Sequence, residues 1–272
     1  QLGINRLSIG IQSFDDERLK WMNRSHTATQ AIQCVHQAKE AGISNISIDL
    51  IFGLPKSDMA YWQQQLNCAH ELGVPHLSVY ALTVERRTAL AHQIKKGLLK
   101  PAKDALYADQ FMFTHHELTG RGYEHYEISS YALPGARSRH NSSYWQQLPY
   151  LGVGPSAHSF DKYSRCWNVS SNLGYIKAIN ERGEAVEATE HLSPLDRYHE
   201  YLLTGLRRCE GIDSQHIQQT FGIEFPGRYA SKVARWIKRG YMQQLGARYT
   251  LTAEGWLLSD RLISELFLDE EP

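Results

Sequence analysis

Asn45-Ile46-Ser47-Ile48-Asp49-Leu50-Ile51-Phe52-Gly53-Leu54-Pro55 decides how this chain is read. Residues 46–52 are apolar at almost every position, as in a strand covered on both faces, and Gly53-Leu54-Pro55 ends the run. Strands of that kind belong to parallel sheets joined by crossover helices. Asp49, the one acid in the run, then needs a reason, because a carboxylate withdrawn from water must be paired or hydrogen-bonded.

The same grammar extends in both directions. Upstream, a strand near 6–11 is followed by a helix over 28–41, with Ala31, Ile32, Val35, Ala38 and Lys39 at helical spacing and Gly42 as its stop. Downstream, a helix over 57–72 ends at Gly73 and a third strand covers 76–82. Strand, helix, strand, helix, strand at this spacing gives parallel βα units. Residues 85–103 read as a basic, exposed connection, 105–121 as a helix closed by Gly122, and 126–131 as a strand. A polar and aromatic loop over 134–145 precedes a Gly-rich apolar strand over 151–159, read as the last of a barrel.

Beyond a domain ending at 165 and a linker over 166–191, the pattern changes at Leu192-Ser193-Pro194. Helices over 196–209, 214–220 and 229–239 lead to a hairpin whose strands, 241–244 and 249–251, flank Leu245-Gly246-Ala247. A closing helix opens at Thr252-Ala253-Glu254-Gly255 and runs to about 267. Residues 192–272 thus read as a small, mostly helical, winged-helix-like domain. It is a cap rather than a DNA-binding module, since its basic residues form no stripe.

Composition removes other classes. Twenty-nine basic against 29 acidic residues in 272 give no electrostatic drive toward nucleic acid, and 42% hydrophobic residues exclude wholesale disorder. No apolar run approaches the roughly 18 residues of a membrane span, and mean hydropathy is −0.45. Cys34, Cys68, Cys166 and Cys209 lie far apart, without the close pairs of a zinc site or the density of a disulfide scaffold, which points to the reducing cytoplasm. Gln1 leads almost at once into a strand, with no initiator Met and no signal peptide, so the chain is expected to be the downstream part of a longer barrel.

Strand C-termini are where βα folds place their sites. Gln12-Ser13-Phe14 follows the first strand, Asp49 lies in the second, Tyr80-Ala81 ends the third, and Arg24 precedes a helix. Each alone is also what a satisfied loop or capping residue looks like. Together with their surroundings they carry a resemblance. Asn5-Arg6-Leu7-Ser8-Ile9-Gly10-Ile11-Gln12-Ser13-Phe14, then Ile48 to Pro55, then Tyr123-Glu124-His125-Tyr126-Glu127-Ile128-Ser129, and then Tyr150-Leu151-Gly152-Val153-Gly154-Pro155-Ser156-Ala157-His158-Ser159 follow in order. This series resembles the radical S-adenosylmethionine proteins related to oxygen-independent coproporphyrinogen III oxidase, over nearly the whole chain.

The resemblance implies an α/β fold: the C-terminal portion of a partial (βα)6 radical-SAM TIM-like barrel, then the winged-helix-like domain. It also implies that Gln12, Arg24 and Asp49 contact S-adenosylmethionine, with Ala81 and the Ala157-His158 backbone lining the same pocket. Asp49 would accept from ribose hydroxyls, and the planar fork of Arg24 suits a carboxylate.

His140-Asn141-Ser142-Ser143-Tyr144 matches the HNxxY pattern of the family's heme chaperone branch rather than the oxidase pattern. There, His140, Asn141 and Tyr144 are implied to contribute to heme binding. The residues themselves leave two readings open: His140 offers imidazole to heme iron, or it merely pins an exposed loop. The resemblance also implies a 4Fe-4S cluster, but its CxxxCxxC signature is absent, so its ligands are expected in a missing N-terminal region and none in this chain. The expected function is heme binding for transfer to an acceptor protein not yet identified, without nucleic acid and without integral membrane segments. The alternatives are the oxidase itself, decarboxylating coproporphyrinogen III, and a partner-binding protein with a vestigial pocket.

Overall fold

The computed structural model describes residues 3–269, and the chain divides into two compact units, Gln1–Ser138 and Arg139–Pro272. The first unit runs β1 (Arg6–Gln12), α1 (Asp16–Trp21), α2 (Ala28–Glu40), β2 (Asn45–Phe52), α3 (Met59–Glu71), β3 (His76–Ala81), α4 (Ala89–Lys95), α5 (Asp104–Gly120), β4 (Glu124–Glu127) and β5 (Ser130–Ala132). Its sheet has the order β1-β2-β3-β5-β4, with β1, β2 and β3 parallel and the last two strands antiparallel.

The helices form where capping and apolar spacing agree. Thr27 and Gln30 make a reciprocal capping box at the start of α2, whose Ala31, Val35 and Ala38 are buried. Asp58 accepts the Tyr61 amide at the start of α3, which buries Trp62, Leu66 and Ala69. The Trp62 indole N–H donates to Thr114 Oγ1 (2.8 Å) on α5, and its ring lies 5.8 Å from that of Phe52. These side chains fill the space between helices and sheet, each fully buried one contributing roughly 2–3 kcal/mol.

The opposite face of the sheet is polar, contrary to the expectation that β2 is covered by apolar groups on both sides. The register sets Ser8, Ser47 and His76 in one row and Asp49 beside Ser78. Ser47 Oγ meets His76 Nδ1 (2.7 Å), and His76 Nε2 meets the Tyr126 hydroxyl (2.8 Å). Burial holds the His76 imidazole neutral, with its pKa lowered to about 4.

Four other expectations are corrected in this region and beyond. Residues 85–103 are not a plain connection, since they contain α4. The strand expected over 126–131 is the hairpin β4–β5, turning at Ile128 and Ser129. Residues 151–159 are no barrel strand: only His158 onward is strand, and it pairs within a separate antiparallel sheet. Residues 166–191 are not a linker but carry most of that sheet and a helix, so the change of unit falls after residue 138 rather than 165.

The second unit begins with α6 (Arg139–Trp145), then β6 (His158–Phe160), β7 (Ser164–Asn168), α7 (Asn172–Arg182) and β8 (Val186–His191), with sheet order β6-β7-β8. It continues with α8 (Pro194–Gly205), β9 (Ile212–Asp213), α9 (Ser214–Phe221), α10 (Phe225–Lys238), β10 (Met242–Leu245) and β11 (Arg248–Leu251). The sheet order β10-β11-β9 lays the expected hairpin against the strand between α8 and α9, a winged-helix-like arrangement. The closing helix is two short ones, α11 (Ala253–Trp256) and α12 (Ser259–Ser264), interrupted at Leu257-Leu258. No helix among the described residues is long and apolar enough to cross a membrane.

Candidate functional site

β1 does not end as a regular strand. Its pairing with β2 slips between Ile9 and Gln12, and Gln12 stands at φ 71°, a left-handed conformation that costs a side-chain-bearing residue about 1–2 kcal/mol. The chain keeps this strain where it serves a geometry. A Cβ on Gly10 would lie 2.9 Å from Gln12 Nε2, 3.6 Å from Arg24 Nη2 and 3.9 Å from Asp49 Oδ2. Three polar side chains therefore gather over one patch of bare backbone.

Each is delivered by its own element. Asp15 caps α1 by accepting the Glu17 and Arg18 amides, and the helix ends in a turn with Asn23 at φ 56°. That turn brings Arg24 back to β1, where Nη2 donates to the Gly10 carbonyl (3.2 Å). A His26 ring nitrogen lies 3.1 Å from the Ile11 carbonyl and ties the next step to the same strand. Asp49 projects from the middle of β2 and accepts from Ser78, the residue paired with it on β3. Burial raises its carboxyl above the usual range, and no cation among the described residues forms an ion pair with it.

Beside these groups lies a cavity of about 500 Å³ at the strand ends. Gln12 and Arg24 share its lining with Trp21, Met22, Ile51, Leu82 and Leu90, so a polar rim meets an apolar wall. Asp49 and Ala81 do not line it. Ala81 pairs with Phe52, one step out of phase with Asp49, and so lies on the other face of the sheet. Trp21 and the α4 residues were missed by the sequence reading. Trp21 left a signal, a large apolar residue 36% exposed at the end of a short polar helix. α4 left only a single turn of apolar spacing.

One glycine fixes the walls. Gly53, at φ 73°, receives the Tyr107 ring so closely that a Cβ would sit 2.0 Å from it. The Tyr107 hydroxyl donates to the Leu82 carbonyl, and Gln110 Oε1 accepts the Gly53 amide (2.9 Å). α5 thus clamps the segments that follow β2 and β3.

In the second unit, the segment expected as a loop around His140 is α6. Helical spacing sets His140 against Tyr144 with ring centroids 4.9 Å apart and planes at 80°, and Tyr144 continues edge-on to Tyr150 at 4.8 Å. His140 is exposed, Tyr144 is 43% exposed, and Asn141 is half-buried between them. Ala157 and His158 belong to this unit too. The Ala157 carbonyl accepts the Asn168 amide, and the His158 ring stands 5.7 Å from Trp167. Among the described residues no three His, Cys, Asp or Glu side chains gather as a metal site. Cys34 lies on α2, Cys68 on α3 and Cys166 on β7, and neither these nor Cys209 form a disulfide. These residues do not fit a 4Fe-4S cluster.

Comparison with known proteins agrees with this architecture. Residues 1–67 match the Radical SAM superfamily model, and residues 192–258 match that of the HemN C-terminal domain. Coproporphyrinogen III oxidase (HemN) from Escherichia coli, described as a radical SAM enzyme, superposes with a TM-score of 0.76 at 24% identity, over 96% of this chain and 64% of its own. That likeness establishes the fold: a radical SAM α/β domain followed by a HemN-type C-terminal domain. Heme chaperone HemW of Bacillus subtilis is 30% identical over 270 residues, covering 99% of this chain and 71% of the relative. HemW of Haemophilus influenzae is 32% identical over 99% and 69%, and the bovine mitochondrial radical S-adenosyl methionine domain-containing protein 1 is 35% identical over 80% and 51%. The chain belongs to the heme chaperone HemW family.

Proposed function

We propose that the protein binds heme for delivery to an acceptor protein, and that it holds S-adenosylmethionine at the ends of β1 and β2. The observation that carries this reading is the convergence of Gln12, Arg24 and Asp49 over Gly10. Asp49 accepts from ribose hydroxyls, the Arg24 guanidinium faces the methionyl carboxylate, and Gln12 donates its amide between them. Trp21, Ile51, Leu82 and Leu90 supply an apolar wall for the base and keep water from it. S-Adenosylmethionine supplies a sulfonium-activated carbon–sulfur bond. Ala81, on the other face of the sheet from Asp49, is left out of the proposed contacts, and no described residue is assigned to the family's iron–sulfur cluster.

Heme is the cargo. The exposed His140 imidazole offers a ligand to its iron, and Tyr144 with Tyr150 extends an aromatic surface beside it for the porphyrin. Asn141 is part of the same proposed contact. Four scattered cysteines with no disulfide support a reducing, cytoplasmic setting. The oxidase alternative is favoured less: behind it stand a fold likeness at 24% identity and the match of 192–258 to the HemN C-terminal domain, against relatives named heme chaperone at about 30% identity over nearly the whole chain.

Heme titration of the full-length protein, followed by its Soret band, tests this. Replacing His140 and Tyr144 together by Ala should weaken binding at least about tenfold, a loss of roughly 1.4 kcal/mol, and alter the band. An unchanged affinity and spectrum contradicts the proposal.

A further inference from the structure

Of residues 85–103, Thr88, Ala89, Leu90 and Gln93 line the cavity beside Gln12 and Arg24. The stretch holds six basic residues, Arg86, Arg87, Lys95, Lys96, Lys100 and Lys103, against the single acid Glu85, in a chain of zero formal net charge. All six are exposed, and among the described residues none of them makes an ion pair. Like charges without ion-pair partners repel each other and attract an anionic partner.

The shape of the surface narrows the partner. Lys100 and Lys103 line a cavity of about 540 Å³ together with Lys56, with Leu98 and Leu106 as apolar lining and Asp109 as the one acid. Lys56 is set there by the turn after β2: it stands at φ 58°, and its carbonyl accepts from Arg18 Nη2 (2.9 Å). Leu98 is 74% exposed among these cations. A flat bilayer reaches the outer cations but not charges placed around a concavity. A protruding chain segment reaches both.

We propose that this cavity and the basic stretch beside it are a docking site for an acidic segment of a partner protein, with carboxylates on Lys56, Lys100 and Lys103 and an apolar side chain against Leu98 and Leu106. The inference stands independently of the heme and S-adenosylmethionine reading.

Fluorescence anisotropy with a labelled peptide of Glu-Glu-Leu repeats tests it on the full-length protein. Binding should weaken at least about tenfold between roughly 50 and 500 mM salt, as screening shortens the reach of the charges. The Lys56→Glu/Lys100→Glu/Lys103→Glu variant should lose at least about tenfold in affinity at low salt, and the corresponding triple Gln variant should lose less. A control reversing Lys162, Lys238 and Arg239, exposed cations elsewhere, should bind like wild type. Far-UV circular dichroism identifies any variant that fails to fold, and the Gln variant then carries the comparison. The proposal is overturned if the Glu and Gln variants bind the peptide as wild type does, or if the control loses as much. It is equally overturned if acidic vesicles bind at these lysines while the peptide does not, or if inorganic phosphate binds there as tightly as the peptide.

Discussion

Gly10 and His76 show how single residues set up this sheet. Gly10 leaves bare the backbone over which Gln12, Arg24 and Asp49 meet, while His76 anchors the row beneath by bridging Ser47 and Tyr126. Burial lowers the His76 pKa from the ordinary 6.5 to about 4. Between those pH values the unfolded chain binds a proton that the folded chain does not, so acidification favours unfolding. The contribution of His76 is intact above about pH 6.5 and is lost progressively down to about pH 4, up to about 3 kcal/mol in total. Asp49 and Glu127, whose carboxyls burial raises, act in the opposite sense, so wild type must be compared with a variant rather than followed alone. Urea unfolding of wild type and His76→Gln should give a stability difference that shrinks by roughly 2 kcal/mol between pH 7 and about pH 4.5. A difference flat with pH contradicts a neutral, buried His76. Gln12, Arg24 and Asp49 stood out at this scale as polar residues after a strand, before a helix and inside an apolar strand. The convergence was not, since it depends on the bulge before Gln12 and on the turn at Asn23.

Among the elements, those with strong local signals were legible. α2, α3 and α5 carry apolar spacing and glycine stops, and β1, β2 and β3 alternate with them as parallel units must. α4 buries no residue, and Leu90, Ala91 and Ile94 mark only a single turn of apolar spacing, too short a period to decide a helix. The β4–β5 hairpin turns at Ile128-Ser129, without the Gly, Asn or Pro that announces a tight turn, and so reads as one strand. α6 is a single short helix of polar residues within a stretch otherwise read as loop. The clamp of α5 on the strand ends gives a prediction of its own. Gly53→Ala places a methyl group against the Tyr107 ring at a positive φ, and should destabilise the protein by about 2–4 kcal/mol in chemical denaturation. Unchanged stability would mean that Tyr107 does not hold this turn.

For the whole molecule, the sequence yielded the α/β class and the order of βα units, and the segment similar to the HemN C-terminal domain spans 192–258. It misplaced the division between the two units. Residues 166–191 lack a strong apolar period because β8 is largely exposed, so their polar strands and helix read as linker. The basic character of 85–103 was legible despite the zero net charge of the whole chain, but the cavity that its lysines line with Lys56 was not, since Lys56 comes from the distant turn after β2.

Equilibrium binding of S-adenosylmethionine to the full-length protein, purified anaerobically, tests the central claim most directly. A Gly10→Val side chain would occupy the patch where Gln12, Arg24 and Asp49 converge. The account predicts that this variant keeps the wild-type circular dichroism spectrum and loses at least about tenfold in affinity. Wild-type affinity in a folded Gly10→Val protein would place the ligand elsewhere.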